Sequence, residues 1–339
     1  MRLLFAIALL LPVAASLSAR DVASVSSTAI LADGMPKKLS EFGFFAGAAD
    51  TPSPDLIPYD LATPLFSDYA EKQRFVYLPK GANITVGDGF GRVTFPIGAA
   101  IVKSFGYPAD SGKLKIIETR VLLHRADGWV ALPYVWNADG SDADLRIGGM
   151  RRDISFTLPG ALPRQVSYSV PNKNQCKQCH SSAGDIQPIV PLLGNMRFNS
   201  AADKRRFLTG TDKAGAAKSM PAWNDTKFAS VKQRAQSYLY VNCAHCHRPT
   251  GSASNSGLFF DETAIGPTAQ GIGKHPVAAG RGSGGLEFVI VPGKPEQSIL
   301  LYRLESLDPG VAMPELGRAS VHKEGADLLR QWIAEMPES

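Results

Sequence analysis

Residues 116–136 read IIETRVLLHRADGWVALPYVW, in which two apolar runs flank an Asp127-Gly128 pair. The runs cover residues 116–123 and 129–136 and are rich in β-branched and aromatic side chains, which favour strands. An Asp-Gly pair between two such runs is typical of a tight hairpin turn. This stretch therefore predicts an antiparallel hairpin and indicates that the N-terminal half is built from β-strands.

The sequence on either side of the hairpin predicts further strands. Apolar side chains alternate at Val93, Phe95 and Ile97. Short extended stretches also cover residues 101–105, 154–158 and 165–170. Because helical patterns come only later, we expect an α+β fold with two segregated domains. The first is an antiparallel β sandwich-like domain over residues 56–170, and the second is a mainly α-helical domain over residues 171–339.

All four cysteines of the chain lie in two Cys-x-x-Cys-His strings. The strings are Cys176-Lys177-Gln178-Cys179-His180 and Cys243-Ala244-His245-Cys246-His247. Two thiols three positions apart can reach the two vinyl groups of one porphyrin, and the following imidazole then lies under the iron. Roughly one sequence in a million of this length would carry two such strings by chance. We therefore expect two covalently attached haem c groups, with His180 and His247 as the proximal iron ligands.

Other uses of paired cysteines fit the spacing less well. Zinc ribbons place their two pairs about 15 to 20 residues apart, closer than the pairs here, and neither pair needs a trailing histidine. A thioredoxin-like pair requires an α/β pattern, whereas a proline-rich loop follows Cys179. Disulfides within such short loops would be strained. The spacing thus favours haem attachment.

The region around the second motif, residues 231–339, predicts a complete haem-binding unit. A helix leads into Cys243, a second begins near Pro295, and a third follows Ser320. Met313 lies between the last two helices in a proline-containing loop. We expect its thioether to be the sixth ligand of the second iron.

The sixth ligand of the first haem, which belongs to residues 171–230, stays open between several side chains. Met220 precedes a proline, as Met313 does, and is the first candidate; Met196 is another. His245 could reach a neighbouring iron, and His275 lies in a glycine-rich loop. An open sixth position, which would allow small-ligand chemistry, is the remaining alternative.

Several strings resemble known protein families. GKPEQSILLYR (293–303), Met313-Pro314 and LLRQWI (328–333) are similar to the C-terminal half of a small bacterial class I cytochrome c. PYDL (58–61), PLFSDY (64–69), VPNKNQC (170–176) and NSGL (255–258) resemble a family of exported bacterial dihaem c-type cytochromes with a β-rich N-terminal region. The likeness covers nearly the whole mature chain. It implies a cytochrome c-like dihaem domain, haem binding and electron transfer, and it implies no substrate.

The N-terminus reads as a targeting segment. Arg2 is followed by an apolar run over residues 3–13 and then by small residues. This pattern predicts a signal peptide over residues 1–19, followed by an N-terminal extension over residues 20–55. We expect export to the periplasm and no transmembrane span after signal removal, because the apolar run is shorter than the roughly 20 residues that cross a bilayer.

Composition and charge indicate which classes of binding partner to expect. The 339 residues are 44% apolar and 20% charged, which is typical of a folded globular protein. The formal net charge is only +5 and contains no basic block, so nucleic acid is not an expected partner. We expect periplasmic redox donor and acceptor proteins instead. Asp60, Asp68 and Glu71 are interpreted as caps and surface charges rather than acid–base catalysts.

Two classes of function remain at this stage. In the first, both irons are six-coordinate and the protein is a periplasmic electron carrier. In the second, one haem has an open position and the chain is a dihaem peroxidase-type oxidoreductase, or a haem-based redox sensor that binds a partner through its β region. No catalytic residue is assigned, and the sequence leaves open whether the protein is an enzyme.

Overall fold

The strands of the chain fall almost entirely within its first 200 residues. The computed structural model describes residues 24–109, 112–158, 162–189, 191–211, 215 and 217–338. The predicted signal peptide, residues 1–19, lies outside the described residues. The strands, in chain order, are β1 (Ile57–Leu61), β2 (Glu71–Tyr77), β3 (Thr85–Val86), β4 (Val93–Thr94), β5 (Ala100–Pro108), β6 (Leu114–Arg125), β7 (Gly128–Trp136), β8 (Ala143–Leu145), β9 (Met150–Phe156), β10 (Arg164–Val170), β11 (Ser181–Ser182), β12 (Asp185–Ile186) and β13 (Met196–Arg197).

The helices are short and lie mostly in the second half. The α-helices are α1 (Ser27–Leu31), α2 (Lys173–His180), α3 (Ala201–Leu208), α4 (Val231–Cys243), α5 (Ile299–Glu305) and α6 (Lys323–Ala334). Single 3-10 turns span Leu39–Phe42, Leu193–Asn195, Ser254–Ser256, Thr268–Gln270, Gly280–Ser283 and Pro295–Gln297. No helix in the described part of the chain has both the length and the apolar run that a bilayer crossing requires.

The predicted fold class, a β sandwich-like domain followed by a mainly α-helical cytochrome c-like dihaem domain, is wrong. The main sheet is a single antiparallel one of seven strands in the order β13-β1-β2-β5-β6-β7-β8. Its edge strand β13 comes from the segment that was expected to be helical. Helices make up 24% and strands 26% of the residues that the structure describes, so the second half is largely irregular connections. The coarser α+β description partly fits.

No second sheet of comparable size packs on the main sheet in the described part of the chain, because other segments cover both of its faces. On one face, Val121 and Leu123 pack with Phe42 of the N-terminal segment. On the opposite face, Leu122 packs in the same cluster as Cys176 of the first Cys-x-x-Cys-His string. Side chains alternate across a strand, so neighbouring residues of β6 face different layers. The sheet therefore forms one wall against the first cysteine motif.

A bulge at Gly106 shifts the register of β5 against β6, and the two strands stay paired beyond it. The register between the two strands shifts between Phe105 and Gly106. A Cβ atom at position 106 would lie 2.5 Å from the Lys115 carbonyl oxygen, so only glycine fits there. Beyond the bulge, Tyr107 packs on the β9–β10 hairpin through Tyr168. The β9–β10 hairpin therefore covers this end of the sheet, and its second strand ends at Val170, shortly before the helix that carries the first motif.

The three helices predicted after residue 231 are present as α4, α5 and α6. Tyr238 and Leu239 of α4 pack in one core cluster with Leu329 and Trp332 of α6. The capping box of Ser230, whose hydroxyl accepts from the Gln233 N–H, fixes the start of α4. These helices position the second motif at the carboxyl end of α4.

Asp68 connects the sheet region to the segment before α6. Its side chain is 3% exposed, so it is not the surface charge that the sequence suggested. The carboxylate accepts hydrogen bonds from the Ala319 N–H at 2.7 Å, the Ser320 N–H at 2.8 Å and the Ser320 hydroxyl at 2.7 Å. Because these partners are about 250 residues away in sequence, one buried carboxylate holds the N- and C-terminal parts of the fold together.

Candidate functional site

The first motif is carried by the short helix α2. Asn172 caps this helix, since its side chain accepts from the Gln175 N–H at 2.9 Å while the Gln175 side chain accepts from the Asn172 N–H at 2.9 Å. Such a capping box favours a helix even in a polar sequence. Cys176, Cys179 and His180 all line one cleft, as a three-residue helical spacing requires.

The second motif follows the end of α4 in one further turn. The His247 N–H donates to the Cys243 carbonyl at 2.9 Å, which keeps the two ends of the motif close. Cys243 and His245 line the same cleft as the first motif. Cys246 and His247 do not belong to its wall, and His247 contacts Phe260 instead, with ring centroids 5.7 Å apart.

The two motifs lie side by side. The Ala183 N–H donates to the Thr250 carbonyl at 3.0 Å, and the hydroxyls of Ser182 and Thr250 are 3.1 Å apart. Arg248 also reaches the Ser181 carbonyl at 3.5 Å. Residues that follow His180 and His247 are thus in direct contact, which places the two motifs next to each other.

Each terminal histidine is held through its Nδ1 atom. His180 Nδ1 lies 2.8 Å from the Gln187 carbonyl oxygen, which can only accept, so Nδ1 carries the proton. His247 Nδ1 lies 3.1 Å from the Ser256 hydroxyl, whose own proton goes to the Ala253 carbonyl at 2.7 Å. Nδ1 of His247 is therefore also the donor. In a neutral imidazole with this tautomer, Nε2 carries the lone pair that a metal needs.

Burial keeps both motifs in neutral forms. It lowers the pKa of His180 to about 3 and that of His247 to about 4. It also raises the pKa of the Cys179 thiol to about 11 and that of Cys243 to about 12. Neutral imidazole is the form that binds a metal.

The cysteines do not form the alternatives weighed from the sequence. All four are unpaired thiols rather than disulfides. Among the described residues, no three His, Cys, Asp or Glu side chains converge as a closed zinc site requires.

The cleft has a volume of about 190 Å³ and is bounded by the sheet as well as by the motifs. Apolar side chains from the sheet, such as Leu61, Ile101 and Leu122, face the first motif across it. Tyr238, Leu304 and other residues from the helical region line the other end, on the side of Cys243.

No family model, curated protein or solved structure matches this chain.

Three cations stand in a row on the wall that the sheet gives to the cleft. In the sheet register, Arg74 of β2 pairs with Lys103 of β5, and Lys103 pairs with Arg120 of β6. We call Arg74, Lys103 and Arg120 the cation row. All three line the cleft, and none of the described residues that line it is Asp or Glu. Like charges directly opposite each other on a sheet are destabilising, so the row calls for anionic partners.

Protein carboxylates satisfy only the two ends of the row. Arg74 pairs with Asp60 at 2.6 Å, and Arg120 pairs with the fully buried Glu118. Although burial alone would lower the pKa of Arg120, Glu118 holds it above its ordinary value. Lys103 makes no ion pair with any other residue that the structure describes, and burial lowers its pKa to about 7. A carboxylate of a ligand in the cleft would stabilise its charged form.

The structure also locates the expected distal ligands. Met313 lies in the loop between α5 and α6, where its N–H donates to the Arg303 carbonyl at 2.9 Å, and the next residue, Pro314, lines the cleft. Met220 is fully buried in a cluster with Leu192 and Tyr240; Leu192 lines the cleft, whereas Met220 does not. Met196 is 7% exposed and does line the cleft.

Sequence reasoning missed the cation row. The alternation of Lys103 and Arg120 with apolar neighbours was visible in the sequence. Which strand pairs with which, and in what register, was not. It also missed Arg318 and His322, which line the cleft at the side of the second motif.

Proposed function

We propose that the protein is a dihaem c-type cytochrome of the bacterial periplasm that carries electrons between redox partner proteins. The observation that carries the proposal is the state of the two motif histidines. Each is half-buried and neutral, and its Nδ1–H is already donated, which leaves Nε2 for iron. Histidines that were merely structural would have no reason to share this arrangement at the same motif position.

The cysteines would hold the two porphyrins. Cys176 and Cys179 are one helical turn apart on the cleft wall, which is the spacing that matches two vinyl groups. Cys243 and Cys246 repeat this spacing, and the Cys246 N–H donates to the Cys243 carbonyl at 3.1 Å. Bound haem would supply reversible one-electron chemistry at iron.

The sheet would orient the first haem by binding the propionate groups at one edge of the porphyrin. Haem carries two propionate groups, and the cation row offers Lys103, which has no ion pair among the described residues, between two arginines that each already pair with a carboxylate. Arg120 is fixed in place because Glu118 accepts from it and from the Tyr168 hydroxyl, the latter at 2.5 Å. Arg–carboxylate pairs of this kind are strong and directional. This gives the β region a definite role as the wall that positions one haem.

The cleft would also exclude water from the centre. Its lining is largely apolar, with Leu61, Leu65 and Ile189 among the side chains near the first motif. An apolar surrounding disfavours a change of net charge and is one of the levers that set a haem potential. Met313 would add a second lever at the other haem, since a thioether ligand raises the potential relative to imidazole.

The proposal is tested by counting the covalent haem groups in variants that lack the cysteines of one motif. The full chain is produced in a bacterial host with haem-ligation machinery, and the purified protein is examined by intact mass and by visible absorbance in alkaline pyridine. We expect two covalent haems in the parent, one in the double variant C176S/C179S and one in C243S/C246S. The control Gln178→Ala, between the first two cysteines, keeps both. Two haems retained after either double substitution would refute the assignment.

A further inference from the structure

His245 faces the first motif, unlike the two residues that follow it. It lies between the two cysteines of the second motif, and it lines the cleft with Cys179 and His180 of the first motif. Cys243 lines that wall as well, whereas Cys246 and His247 do not. The second attachment loop therefore extends one imidazole towards the first motif.

The Nδ1 atom of this ring lacks a hydrogen bond within the described part of the chain. His245 is 7% exposed, and its Nδ1 atom is buried without a hydrogen bond to any described residue. An unsatisfied buried polar atom is costly, so native proteins rarely keep one without a use. Neutral imidazole binds metals through either ring nitrogen.

The other histidines of the chain are already engaged elsewhere. His124 stacks on Trp129, with ring centroids 4.5 Å apart, and its Nδ1 contacts the Phe95 carbonyl. His275 packs on Phe288 away from the cleft, with ring centroids 4.3 Å apart.

His322 does line the cleft, but it is held in place on two sides. It stacks on Phe66, with ring centroids 4.3 Å apart, and its Nδ1 lies 3.0 Å from the Tyr238 hydroxyl. With His180 and His247 assigned to the proximal positions, His245 is the histidine left to face the first motif with an unpartnered nitrogen.

We propose that His245 is the sixth ligand of the first iron, whose fifth ligand is His180. This inference rests on the proposed function, because it requires a haem at the first motif. Met196 also lines the cleft, but a methionine is satisfied as an apolar core side chain and needs no polar partner. Met220 is packed in a separate cluster. Binding to iron would give the buried His245 nitrogen the partner that it lacks, whereas neither methionine needs one.

The assignment has a consequence for electron flow between the centres. The ligand of one iron would belong to the loop whose two cysteines hold the other porphyrin, so few covalent bonds would separate the two centres. The first haem would have two imidazole ligands and the second an imidazole and a thioether. Two imidazoles give the lower potential, so the two centres would differ in potential. With both irons six-coordinate, the protein would be a carrier rather than a peroxidase.

The test is the spin state of each haem in the full-length holoprotein. We expect the parent to show two low-spin haems, with one sulfur-to-iron charge-transfer band from Met313. In His245→Ala, electron paramagnetic resonance and resonance Raman spectra should show loss of about half of the low-spin signal and the appearance of one high-spin haem. The control His275→Ala should leave both spectra unchanged.

A second variant keeps the test decisive if alanine disturbs maturation. His245→Met should retain two haems and add a second sulfur-to-iron band. If His245→Ala keeps both haems low-spin, or if Met196→Ala or Met220→Ala is the variant that turns the first haem high-spin, the inference is wrong. One haem that is high-spin and reacts with peroxide in the parent would also overturn it, in favour of an open site. Absence of covalent haem from the parent would instead refute the proposed function itself.

Discussion

Replacing Asp68 with alanine is expected to destabilise the whole fold by breaking its link between the sheet and the segment before α6. The buried carboxylate accepts from the backbone N–H groups of Ala319 and Ser320, at 2.7 and 2.8 Å. Arg318, the residue before them, lines the cleft beside the second motif. The substitution therefore acts on the wall of the proposed haem site without touching either motif.

The magnitude follows from the groups that lose their partner. Each buried N–H left unsatisfied costs about 1–3 kcal/mol, so the two backbone groups together cost about 2–6 kcal/mol. Asp68 also has a φ of +53°, which alanine adopts less readily than aspartate or asparagine. Asp68→Asn keeps one carbonyl acceptor and the backbone preference, so we expect roughly half of the loss.

The assay is urea unfolding of the holoprotein, followed by far-ultraviolet circular dichroism and by haem absorbance. Glu71→Ala, which removes an exposed carboxylate at the start of β2, is the matched control. We expect it to stay within about 0.5 kcal/mol of the parent. If Asp68→Ala lowers the free energy of unfolding by no more than this control does, the carboxylate does not hold the two parts together.

Three further substitutions test individual contacts. Ser256→Ala removes the acceptor of His247 Nδ1 and should broaden or shift the spectrum of the second haem while leaving its covalent attachment intact; an unchanged spectrum would mean that this hydrogen bond does not orient the ring. Glu118→Gln leaves Arg120 without its buried counter-charge and should cost about 3–5 kcal/mol by urea unfolding, so a loss below about 1 kcal/mol would contradict the pair. Met313→Ala should abolish the sulfur-to-iron band, and its persistence would remove that ligand.

The strands were predictable because their pattern is local. The hairpin of β6 and β7 follows from two apolar runs around Asp127-Gly128, and both strands are present where the sequence placed them. The sandwich was wrong because alternation along a strand tells which residues share a face and not what covers that face. Here the N-terminal segment and the first motif supply the covering layers. The edge strand β13 has only two residues, too few for any periodicity.

The candidate site divides in the same way. The spacing of cysteine and histidine is enough to recognise the two motifs in the sequence, because each motif is contiguous. The cation row joins β2, β5 and β6, and only the strand register places Arg74, Lys103 and Arg120 next to each other. The direction of the His245 side chain depends on how the two attachment loops pack together. Non-local contacts of this kind leave no periodic signal in the chain.

The most direct measurement is the intact mass of the purified full-length product, made where haem-ligation machinery is present and recorded together with its visible spectrum. The account predicts a chain heavier by two haem groups that survive denaturation, with no cysteine available to a thiol reagent. A colourless protein with four reactive thiols, or one whose cysteines bind zinc, would contradict it.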